Sequence, residues 1–317
     1  MAERNPGTAL TRPALTRAEP GRPALTRPAL TRASSRLAAA GVGSPRVDAE
    51  LLLAHILGVT RSRLGGVDHL DEAATEAFEG LIARRSRGIP VQHLTGRAPF
   101  RHLDLAVGPG VFIPRPETEL LVDLVAPALA GPRLLVDLCA GSGAIALAVA
   151  NEFPEARVVA VEVSPEALAW LGRNARERAE AGDRPITIVA ADITDPTLLA
   201  DATGAADVVL SNPPYVPEAM RGALGREVAH DPDGALFGGA DGLALMPAVL
   251  TTAARLLRPG GLLAVEHDDS HSGALLALLE AAGDWTAVTG HRDLTGRPRF
   301  VRAVRRGLAG CRYVSAG

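Results

Sequence analysis

The sequence has no lysine, few cysteines and no apolar run long enough to cross a membrane. All 33 basic residues are arginine, a bias from which we read no function. Because Cys139 and Cys311 are too few for a disulfide framework, we expect a reducing, cytoplasmic location. The longest apolar stretches, such as residues 51–53 and 262–265, fall far short of the roughly 20 residues that span a bilayer. The N-terminus also lacks the apolar segment of a secretory signal, so we expect neither export nor a membrane partner.

The overall composition is that of an ordinary globular protein, with 47% hydrophobic and 22% charged residues. A chain of 317 residues fits two domains of about 150 residues each. Its charge is unevenly distributed, because residues 1–36 carry seven arginines and two glutamates while the rest is net acidic. An acidic body argues against a protein that wraps nucleic acid, so we expect no direct nucleic-acid partner.

The beginning of the chain is a low-complexity segment. Over residues 9–33 a five-residue near-repeat recurs, ALTRP and ALTRA, with prolines that interrupt any helix. We therefore predict a disordered tail over residues 1–27, with a basic arm that contacts RNA or the ribosome as the alternative. Apolar positions at helical spacing predict a small helical domain over residues 28–88. Short alternating runs between glycines and prolines predict a β-hairpin linker over residues 89–116.

Strands and helices alternate from residue 117 to residue 305, the pattern of an α/β protein with a parallel sheet. The apolar runs predict strands near residues 134–138, 158–161, 186–189, 208–210, 262–265, 285–290 and 299–304. Helices are predicted from 117 to about 130 and near residues 142–151, 165–180, 243–257 and 271–282. The last residues, 306–317, are expected to form a C-terminal tail.

The first chemical signal is a glycine-rich turn between a strand and a helix, Asp137-Leu-Cys-Ala-Gly-Ser-Gly-Ala-Ile-Ala146. Its glycines let a ligand approach the backbone, and the helix N-terminus offers free N–H groups. Glu162 closes the next strand, where a carboxylate can accept hydrogens from both ribose hydroxyls. Asp192 follows the third strand and can meet an adenine edge, although a strand-end cap is the plainer interpretation. This pattern fits NAD as well as S-adenosylmethionine, because the turn also satisfies the dinucleotide fingerprint.

A second signal separates these two ligands. Asn212-Pro213-Pro214-Tyr215 directly follows the fourth strand, so it faces the same crevice as the glycine turn. The prolines remove two N–H donors, which leaves the Asn212 side-chain oxygen and backbone carbonyls as acceptors for a substrate NH2 group, with the Tyr215 ring beside it. Such acceptors suit methylation of a conjugated nitrogen, whose lone pair must be localised and aimed at a methyl sulfonium. Hydride transfer does not need them.

Taken in order, these motifs resemble the HemK/PrmC family, bacterial enzymes that methylate the glutamine N5 of peptide chain release factors. The resemblance covers about residues 37–305. Besides the glycine turn and Asn212 to Tyr215, it rests on the sequence segments at 44–55, 88–96, 111–119, 238–243 and 257–261.

The resemblance implies a class I S-adenosylmethionine-dependent methyltransferase with a Rossmann-like, seven-stranded, mostly parallel sheet. The N-terminal helical domain would help to dock the release factor, and the methyl group would pass directly to the glutamine of a Gly-Gly-Gln motif. The residues implied around the cofactor are Cys139, Ala140, Gly141, Ser142, Gly143, Glu162, Asp192, Ile193 and Asn212. Asn212 and the Pro213 carbonyl would hold the glutamine amide.

The remaining substrate contacts also follow from the resemblance. Tyr215 would pack on the glutamine amide, and Pro214 and Phe112 would line the same pocket. Arg115 and Glu117, in the loop that carries Phe112, would instead hold that loop by a salt bridge.

Some positions depart from the family pattern. Cys139 stands where glycine is frequent, and we expect small size to be its only requirement, with no catalytic role. His93 occupies a usual tyrosine position, and Glu266-His-Asp-Asp replaces a Glu-His-Gly run. No histidine spacing indicates a metal site, so we expect no metal. We also expect a monomer.

Several alternatives stay open at the level of sequence. The nearest is a methyltransferase of a ribosomal-protein glutamine, which shares the site. An adenine-N6 nucleic-acid methyltransferase would use Asn-Pro-Pro-Tyr too, but residues 216–242 hold two arginines against five carboxylates, a poor phosphate cradle. Two interpretations from other functional classes also stay open, a non-catalytic binding module and an NAD-dependent dehydrogenase.

Overall fold

The computed structural model describes residues 26–129, 131 and 133–307. The tail predicted over residues 1–27 therefore lies outside the described residues up to residue 25, and Thr26 and Arg27 already belong to a helix. The C-terminal tail predicted over residues 306–317 lies outside them from residue 308. The chain divides into two compact units, one ending at Gly96 and one beginning at Arg97.

In the described part of the first unit, all regular secondary structure is helical. Its α-helices are α1 (Thr26–Ala39), α2 (Pro45–Leu57), α3 (Glu72–Ser86) and α4 (Val91–Thr95). Their apolar faces meet in a core that includes Leu37, Leu52, Phe78 and Ile82, all almost fully buried. Helix α3 is preceded by Asp71, whose carboxylate accepts the Ala74 N–H at 2.7 Å and so caps the helix.

The segment predicted as a β-hairpin linker, residues 89–116, is divided between the two units. It contains α4 and then a hairpin of β1 (Arg97–Phe100) and β2 (Leu103–Ala106), paired antiparallel. Leu94 of α4 is buried in the core of the first unit, whereas Phe100 and Leu105 belong to the main core of the second. The unit boundary falls at Gly96 because the two halves of the segment bury their apolar side chains in different cores.

The second unit contains a seven-stranded sheet in the order β5-β4-β3-β6-β7-β9-β8. Its strands are β3 (Leu134–Leu138), β4 (Arg157–Glu162), β5 (Thr187–Ala190), β6 (Ala206–Ser211), β7 (Leu257–Glu266), β8 (Trp285–Arg292) and β9 (Pro298–Arg305). Neighbours from β5 to β7 are parallel, while β9 is antiparallel to both β7 and β8. This confirms the predicted seven-stranded, mostly parallel sheet of a class I methyltransferase fold.

Helices cover both faces of this sheet. They are α5 (Glu119–Val125), α6 (Ala144–Glu152), α7 (Pro165–Glu180), α8 (Asp233–Leu236), α9 (Met246–Leu256) and α10 (Ser272–Ala282). Successive strand side chains point to opposite faces, so Leu135 joins one core with α5 and α6, and Val136 joins the other with α9 and α10. The helix predicted from 117 to about 130 ends at Val125, because Pro127 in the following 3-10 turn cannot continue the hydrogen-bond ladder.

Candidate active site

The polar and glycine-rich segments predicted for the site meet at one edge of the sheet. The glycine turn follows β3, Glu162 ends β4, Asp192 follows β5 and Asn212 follows β6. Because these four strands are neighbours and parallel, their carboxyl ends lie side by side. The segments surround a cavity of about 540 Å³, a volume within the range of about 300–1,000 Å³ that small-molecule sites occupy.

Most of the residues predicted for the site line this cavity. They are Phe112, Cys139, Ala140, Gly141, Ser142, Glu162, Asp192, Ile193, Asn212, Pro214 and Tyr215. Gly143 and Pro213 are not among the lining residues. Pro213 is buried, and Gly143 packs against α7, where a Cβ would lie 2.5 Å from Leu171 Cδ1.

The glycine turn is held from two sides by buried polar groups. Asn174 of α7 donates its amide hydrogens to the carbonyls of Ser142, at 2.9 Å, and Ala106, at 3.0 Å. On the other side, Asp137 Oδ2 accepts the Ala146 N–H at 3.1 Å and fixes the start of α6. Sequence reasoning missed Asn174, since a polar residue inside a helical pattern carries no local signal of such a role.

Asp137 is an unusual carboxyl group in this setting. It is completely buried, and its Oδ1 has no hydrogen-bond partner among the described residues. Burial, with a smaller contribution from the charge of Glu162, raises the pKa of Asp137 to about 8. The Asp137 carboxyl is therefore mostly protonated at neutral pH.

Glu162 organises the cavity side of the turn through three backbone hydrogen bonds. Its Oε2 accepts the Gly141 N–H at 2.7 Å, and its Oε1 accepts the N–H groups of Val163, at 2.9 Å, and Ser164, at 2.8 Å. A carboxylate offers about four lone-pair positions. One position on Oε2 is left for a ligand hydroxyl, whereas the sequence prediction assigned Glu162 two ribose hydroxyls.

Asp192 is a strand-end cap, the plainer of the two interpretations that the sequence left open. Its Oδ1 accepts both the N–H and the hydroxyl of Thr194, each at 2.8 Å, which makes it a strand-end cap. The same residue lines the cavity next to Ile193. Ile193 is buried, and its carbonyl accepts the Thr252 hydroxyl at 3.0 Å, so the segment is tied to α9.

Cys139 has a backbone conformation that explains why glycine is frequent at its position. Its φ of 65° lies in the left-handed region, which side chains other than glycine rarely adopt. Small size is therefore not the only requirement at this position, contrary to the expectation from sequence. Burial raises the pKa of the Cys139 thiol to about 12, so the thiol stays protonated and is a poor nucleophile.

Asn212 is oriented by a residue from a distant part of the chain. Its amide nitrogen donates to the hydroxyl of Thr118 at 3.2 Å. This contact engages the donor end of the side chain, so the polar atom that remains on this cavity-lining residue is the acceptor Oδ1. The two prolines that follow have no N–H group, which leaves the loop rich in acceptors.

A glycine-containing segment supports the back of the Asn212–Tyr215 loop. The Val216 N–H donates to the Leu236 carbonyl at 2.8 Å, and the Gly238 N–H donates to the Val216 carbonyl at 3.0 Å. A Cβ on Gly238 would lie 2.6 Å from the Pro214 carbonyl oxygen, and one on Gly242 would lie 2.3 Å from that of Tyr215. These glycines are thus required for close backbone packing.

Tyr215 contributes a hydroxyl as well as a ring. The hydroxyl donates to Glu266 Oε1 at 2.9 Å. Burial and the neighbouring carboxyl raise the pKa of Tyr215 well above its ordinary value, so the phenol remains protonated. Glu266 is itself only 1% exposed, and burial raises its pKa to about 7.

The loop that carries Phe112 is closed by Asp231. The Arg115 guanidinium pairs with this carboxylate, and the Ile113 N–H donates to its Oδ1 at 3.0 Å. Arg115 also lies over the Phe112 ring, 4.9 Å from its centroid. Among the described residues Arg115 pairs with Asp231 and not with Glu117, because the buried Asp231 side chain needs a charged partner.

Thr118, Asp231 and Glu266 are functional candidates that sequence reasoning did not single out. Thr118 lies within the 111–119 segment, and Glu266 is the first residue of the run that departs from the family pattern. The sequence analysis had therefore named both segments without assigning a role to either residue. Their partners are far away along the chain, and no local pattern indicates them.

The part of the chain that the structure describes shows neither a metal site nor a membrane span. There, no group of three or more His, Cys, Asp or Glu side chains is arranged to hold a metal ion. Within the same residues, no helix combines the length and apolar character needed to cross a membrane.

The relatives found by comparison with known proteins agree with one another in the function that their names state. The family model described as the PrmC N-terminal domain matches residues 28–96, and that described as the methyltransferase small domain matches residues 93–236. The chain is 53% identical over 274 residues to the release factor glutamine methyltransferase of Mycolicibacterium smegmatis, covering 86% of this chain and 95% of the relative. For the proteins of the same name from Mycobacterium leprae and Mycobacterium tuberculosis, identity is 45% and 44%, covering 86% of this chain and 94% and 88% of the relatives.

Proposed function

The chain belongs to the release factor glutamine methyltransferase family, and from this membership we propose that it methylates the glutamine of the Gly-Gly-Gln motif in peptide chain release factors. The methyl group is transferred to the side-chain amide nitrogen N5. The protein is an S-adenosylmethionine-dependent protein glutamine methyltransferase. The named relatives do not favour the ribosomal-protein or nucleic-acid alternatives.

The observation that carries the site assignment is the hydrogen bond from the Asn212 amide nitrogen to Thr118. It leaves Asn212 Oδ1 as an acceptor in the cavity that the glycine turn and Glu162 also line. A substrate NH2 group requires a hydrogen-bond acceptor. Here the acceptor opens on the same cavity as Glu162, the carboxylate that we assign to the ribose of the cofactor.

The cavity fits S-adenosylmethionine by the chemistry of its lining. Gly141 has φ of 56° and nothing within 4 Å of the place a Cβ would take, so a ligand can approach its backbone. We assign the backbone of Cys139 to Gly143 and the remaining acceptor position of Glu162 to the ribose side of the cofactor. Asp192 and Ile193 are assigned to its adenine. When bound, the cofactor supplies a methyl group on a sulfonium centre.

The protein's own groups act on the glutamine amide. An amide nitrogen is a poor nucleophile because its lone pair is delocalised. Asn212 Oδ1 and the Pro213 carbonyl accept the two amide hydrogens, which holds the nitrogen in one orientation and favours localisation of its lone pair. The Tyr215 ring packs on the planar amide, and Phe112 closes the pocket. No general base is required, because the amide proton becomes acidic once the nitrogen is quaternised and then leaves to water.

The domain roles are part of the same proposal. We assign residues 28–88 to docking of the release factor, residues 89–116 to a linker and residues 117–305 to catalysis, with the enzyme acting as a cytoplasmic monomer. A separate compact helical unit supports the docking role, and the net acidic body supports a protein substrate over nucleic acid.

The first prediction concerns Asn212→Ala. With a purified, unmethylated release factor and S-adenosylmethionine, mass spectrometry should find one added methyl group on the Gly-Gly-Gln glutamine. The Asn212→Ala variant should turn over more slowly by on the order of 100- to 1,000-fold, as when one catalytic hydrogen-bonding group is removed. Calorimetry should show only a modest loss of cofactor affinity, because Asn212 mainly holds the substrate.

Asn151→Ala is the matched control, because Asn151 lies on α6 outside the cavity and bonds only to Asp183 in the described structure. It should retain wild-type turnover. Equal losses of turnover and cofactor affinity in Asn212→Ala would contradict the substrate-holding role. No methylation by the wild-type enzyme, with cofactor binding intact, would keep the methyltransferase and change the substrate.

A further inference from the structure

We propose that Asp231 is a positioning residue for the protein substrate, which acts through Arg115 to hold the Phe112 ring as a wall of the cavity. This role rests on the proposed function, because the substrate in question is the release factor. Asp231 lies in the segment after the Asn-Pro-Pro-Tyr motif, outside the motifs assigned to the cofactor and the glutamine amide. Its partners Ile113 and Arg115 precede it by 118 and 116 residues.

The aromatic ring belongs to a segment, residues 107–118, that lines the cavity over much of its length. Near its beginning, the indole N–H of Trp170 on α7 donates to the Pro109 carbonyl at 3.2 Å. At its end, the Thr118 hydroxyl accepts the Asn212 amide nitrogen at 3.2 Å. The ring lies between these two attachments, where a third one holds the segment.

Asp231 supplies this third attachment with both of its carboxylate oxygens. Oδ1 accepts the Ile113 N–H at 3.0 Å, and Oδ2 accepts from the Arg115 guanidinium. The Asp231 side chain is fully buried, whereas 28% of the Arg115 side chain is exposed. Since a buried carboxylate is costly without a charged partner, Arg115 is kept in this place. One residue therefore fixes both the backbone and a side chain of the segment.

The position of Arg115 over Phe112 extends this connection to the cavity. The guanidinium carbon lies 4.9 Å from the centroid of the ring, and a cation at this distance is attracted to the face of an aromatic ring. The neighbours of Phe112, Val111 and Ile113, are fully buried in a small apolar core, whereas Phe112 is partly buried and lines the cavity. The carboxylate thus fixes the guanidinium, and the guanidinium holds the ring.

The same carboxylate joins two segments that carry none of the residues assigned to the cofactor. Residues 110–118 and residues 232–236 both contribute to the lining of the cavity, and Asp231 lies directly before the second of them. With the cofactor assigned to the glycine turn and to the carboxyl ends of β4 and β5, these two segments are left to contact the peptide that carries the glutamine. We therefore expect Asp231 to act on substrate binding and not on cofactor binding.

The test replaces Asp231 with asparagine, which keeps the size and an oxygen acceptor for Ile113 but removes the charge that pairs with Arg115. Asp231→Asn should raise the KM for the release factor by on the order of 10-fold, the loss expected when a charged hydrogen bond that holds a binding wall is weakened. The kcat at saturating release factor should stay close to wild type, as should the affinity for S-adenosylmethionine measured by calorimetry. Asp231→Glu, which restores the carboxylate, should recover part of the loss.

Asp233→Asn is the matched control, because Asp233 forms an ion pair in the same segment that does not involve Phe112. Its Oδ2 accepts from Arg221 at 2.7 Å, and 70% of its side chain is exposed. This variant removes the same charge two residues away and should keep the wild-type KM. An equal rise of KM in both variants would show a general effect of charge on binding and would refute the positioning role.

A double-mutant cycle separates positioning from a structural role. Phe112→Ala removes the ring and should raise the KM for the release factor by itself. In that background Asp231→Asn should raise the KM little further, because both changes act on one wall of the cavity. Fold-changes that multiply would contradict a path through the ring.

The outcomes are distinguishable from those of the proposed function. If the wild type does not methylate a release factor, the proposed function fails, and the role of Asp231 in binding that substrate fails with it. If the wild type does so and Asp231→Asn keeps its KM, only the positioning role is wrong. If Asp231→Asn does not fold, Arg115→Gln decides, because it removes the cation at a partly exposed position. A wild-type KM for Arg115→Gln would then overturn the proposal.

Discussion

Asn212 depends on side chains that are distant in sequence for its orientation. Thr118 engages its amide nitrogen, and Glu266 engages the hydroxyl of Tyr215 in the same loop. In the neighbouring loop Asp231 ties down Arg115. These polar groups are buried or partly buried, and each would be costly to leave without a partner. Polar contacts therefore hold the acceptors of this site in place, in addition to apolar packing.

Cys139 allows a prediction about stability at this scale. A residue other than glycine in the left-handed region costs roughly 1–2 kcal/mol of folding free energy, and glycine avoids this cost. About half of that gain is offset because glycine has greater conformational freedom in the unfolded chain. Cys139→Gly should therefore raise the free energy of unfolding by about 0.5–1 kcal/mol relative to Cys139→Ser, which keeps a side chain at the strained φ. Urea unfolding curves of the two variants measure the difference. Equal stabilities would show that the φ of 65° carries no strain.

At the scale of elements, residues 216–242, which follow the Asn-Pro-Pro-Tyr motif, form a scaffold that supports the backbone of that motif. It returns to the loop through the bridge between Val216 and Phe237. Its glycines, Gly238 and Gly242, lie so close to the loop carbonyls that a Cβ atom on either would clash with them. The same segment carries Asp231, which closes the Phe112 loop on the other side of the cavity. One stretch of chain therefore fixes two walls of the cavity.

Gly242 provides the test at this scale. A Cβ would meet the Tyr215 carbonyl at 2.3 Å in a backbone with φ of 79°, and a backbone atom cannot move aside cheaply. Gly242→Ala should destabilise the protein by about 3 kcal/mol, the upper range for overpacking, and should lower turnover together with stability. The control is Gly222→Ala, because Gly222 has nothing within 4 Å of its Cβ position. Near-wild-type stability of Gly242→Ala would refute the scaffold role.

At the scale of the whole molecule, two of the buried carboxyl groups in the second unit are at most 1% exposed. Asp137 and Glu266 are buried, and burial raises their pKa values to about 8 and about 7. Both groups hold protons in the folded protein at pH values where the unfolded chain has released them. Their contribution to stability is therefore complete at low pH and is lost as the pH rises through those values.

The predicted consequence is a pH-dependent free energy of unfolding. Because of Asp137, the free energy of unfolding should fall as the pH increases from about 5 to about 8, and Asp137→Asn should reduce this slope. Tryptophan fluorescence in urea measures it for the second unit, which contains both tryptophans, Trp170 and Trp285. Asp201→Asn, at an exposed position, should leave the slope unchanged. An unchanged slope in Asp137→Asn would mean that Asp137 is ionised in the folded state.

Local patterns in the sequence were enough to predict most of the elements. The predicted strand over 134–138 and the predicted helix over 165–180 coincide with β3 and α7, because alternation and helical periodicity are set by neighbouring residues. The strand at 257–266 was predicted only from 262, since Pro259 and two glycines mask its beginning. The glycine turn and Asn-Pro-Pro-Tyr were equally readable, as each is a continuous run of residues.

The sequence by itself determined the class of fold, the two chemical motifs and the family to which they belong. Only the tertiary structure decided which residues support those motifs. Thr118 reaches Asn212 across 94 residues of chain, and Asp231 reaches Arg115 across 116. The order of the strands brings such residues together, and so do the two cores on either side of the sheet. Turns and periodicity depend on short-range forces along the chain, whereas a buried hydrogen bond between distant residues exists only after the whole sheet has packed.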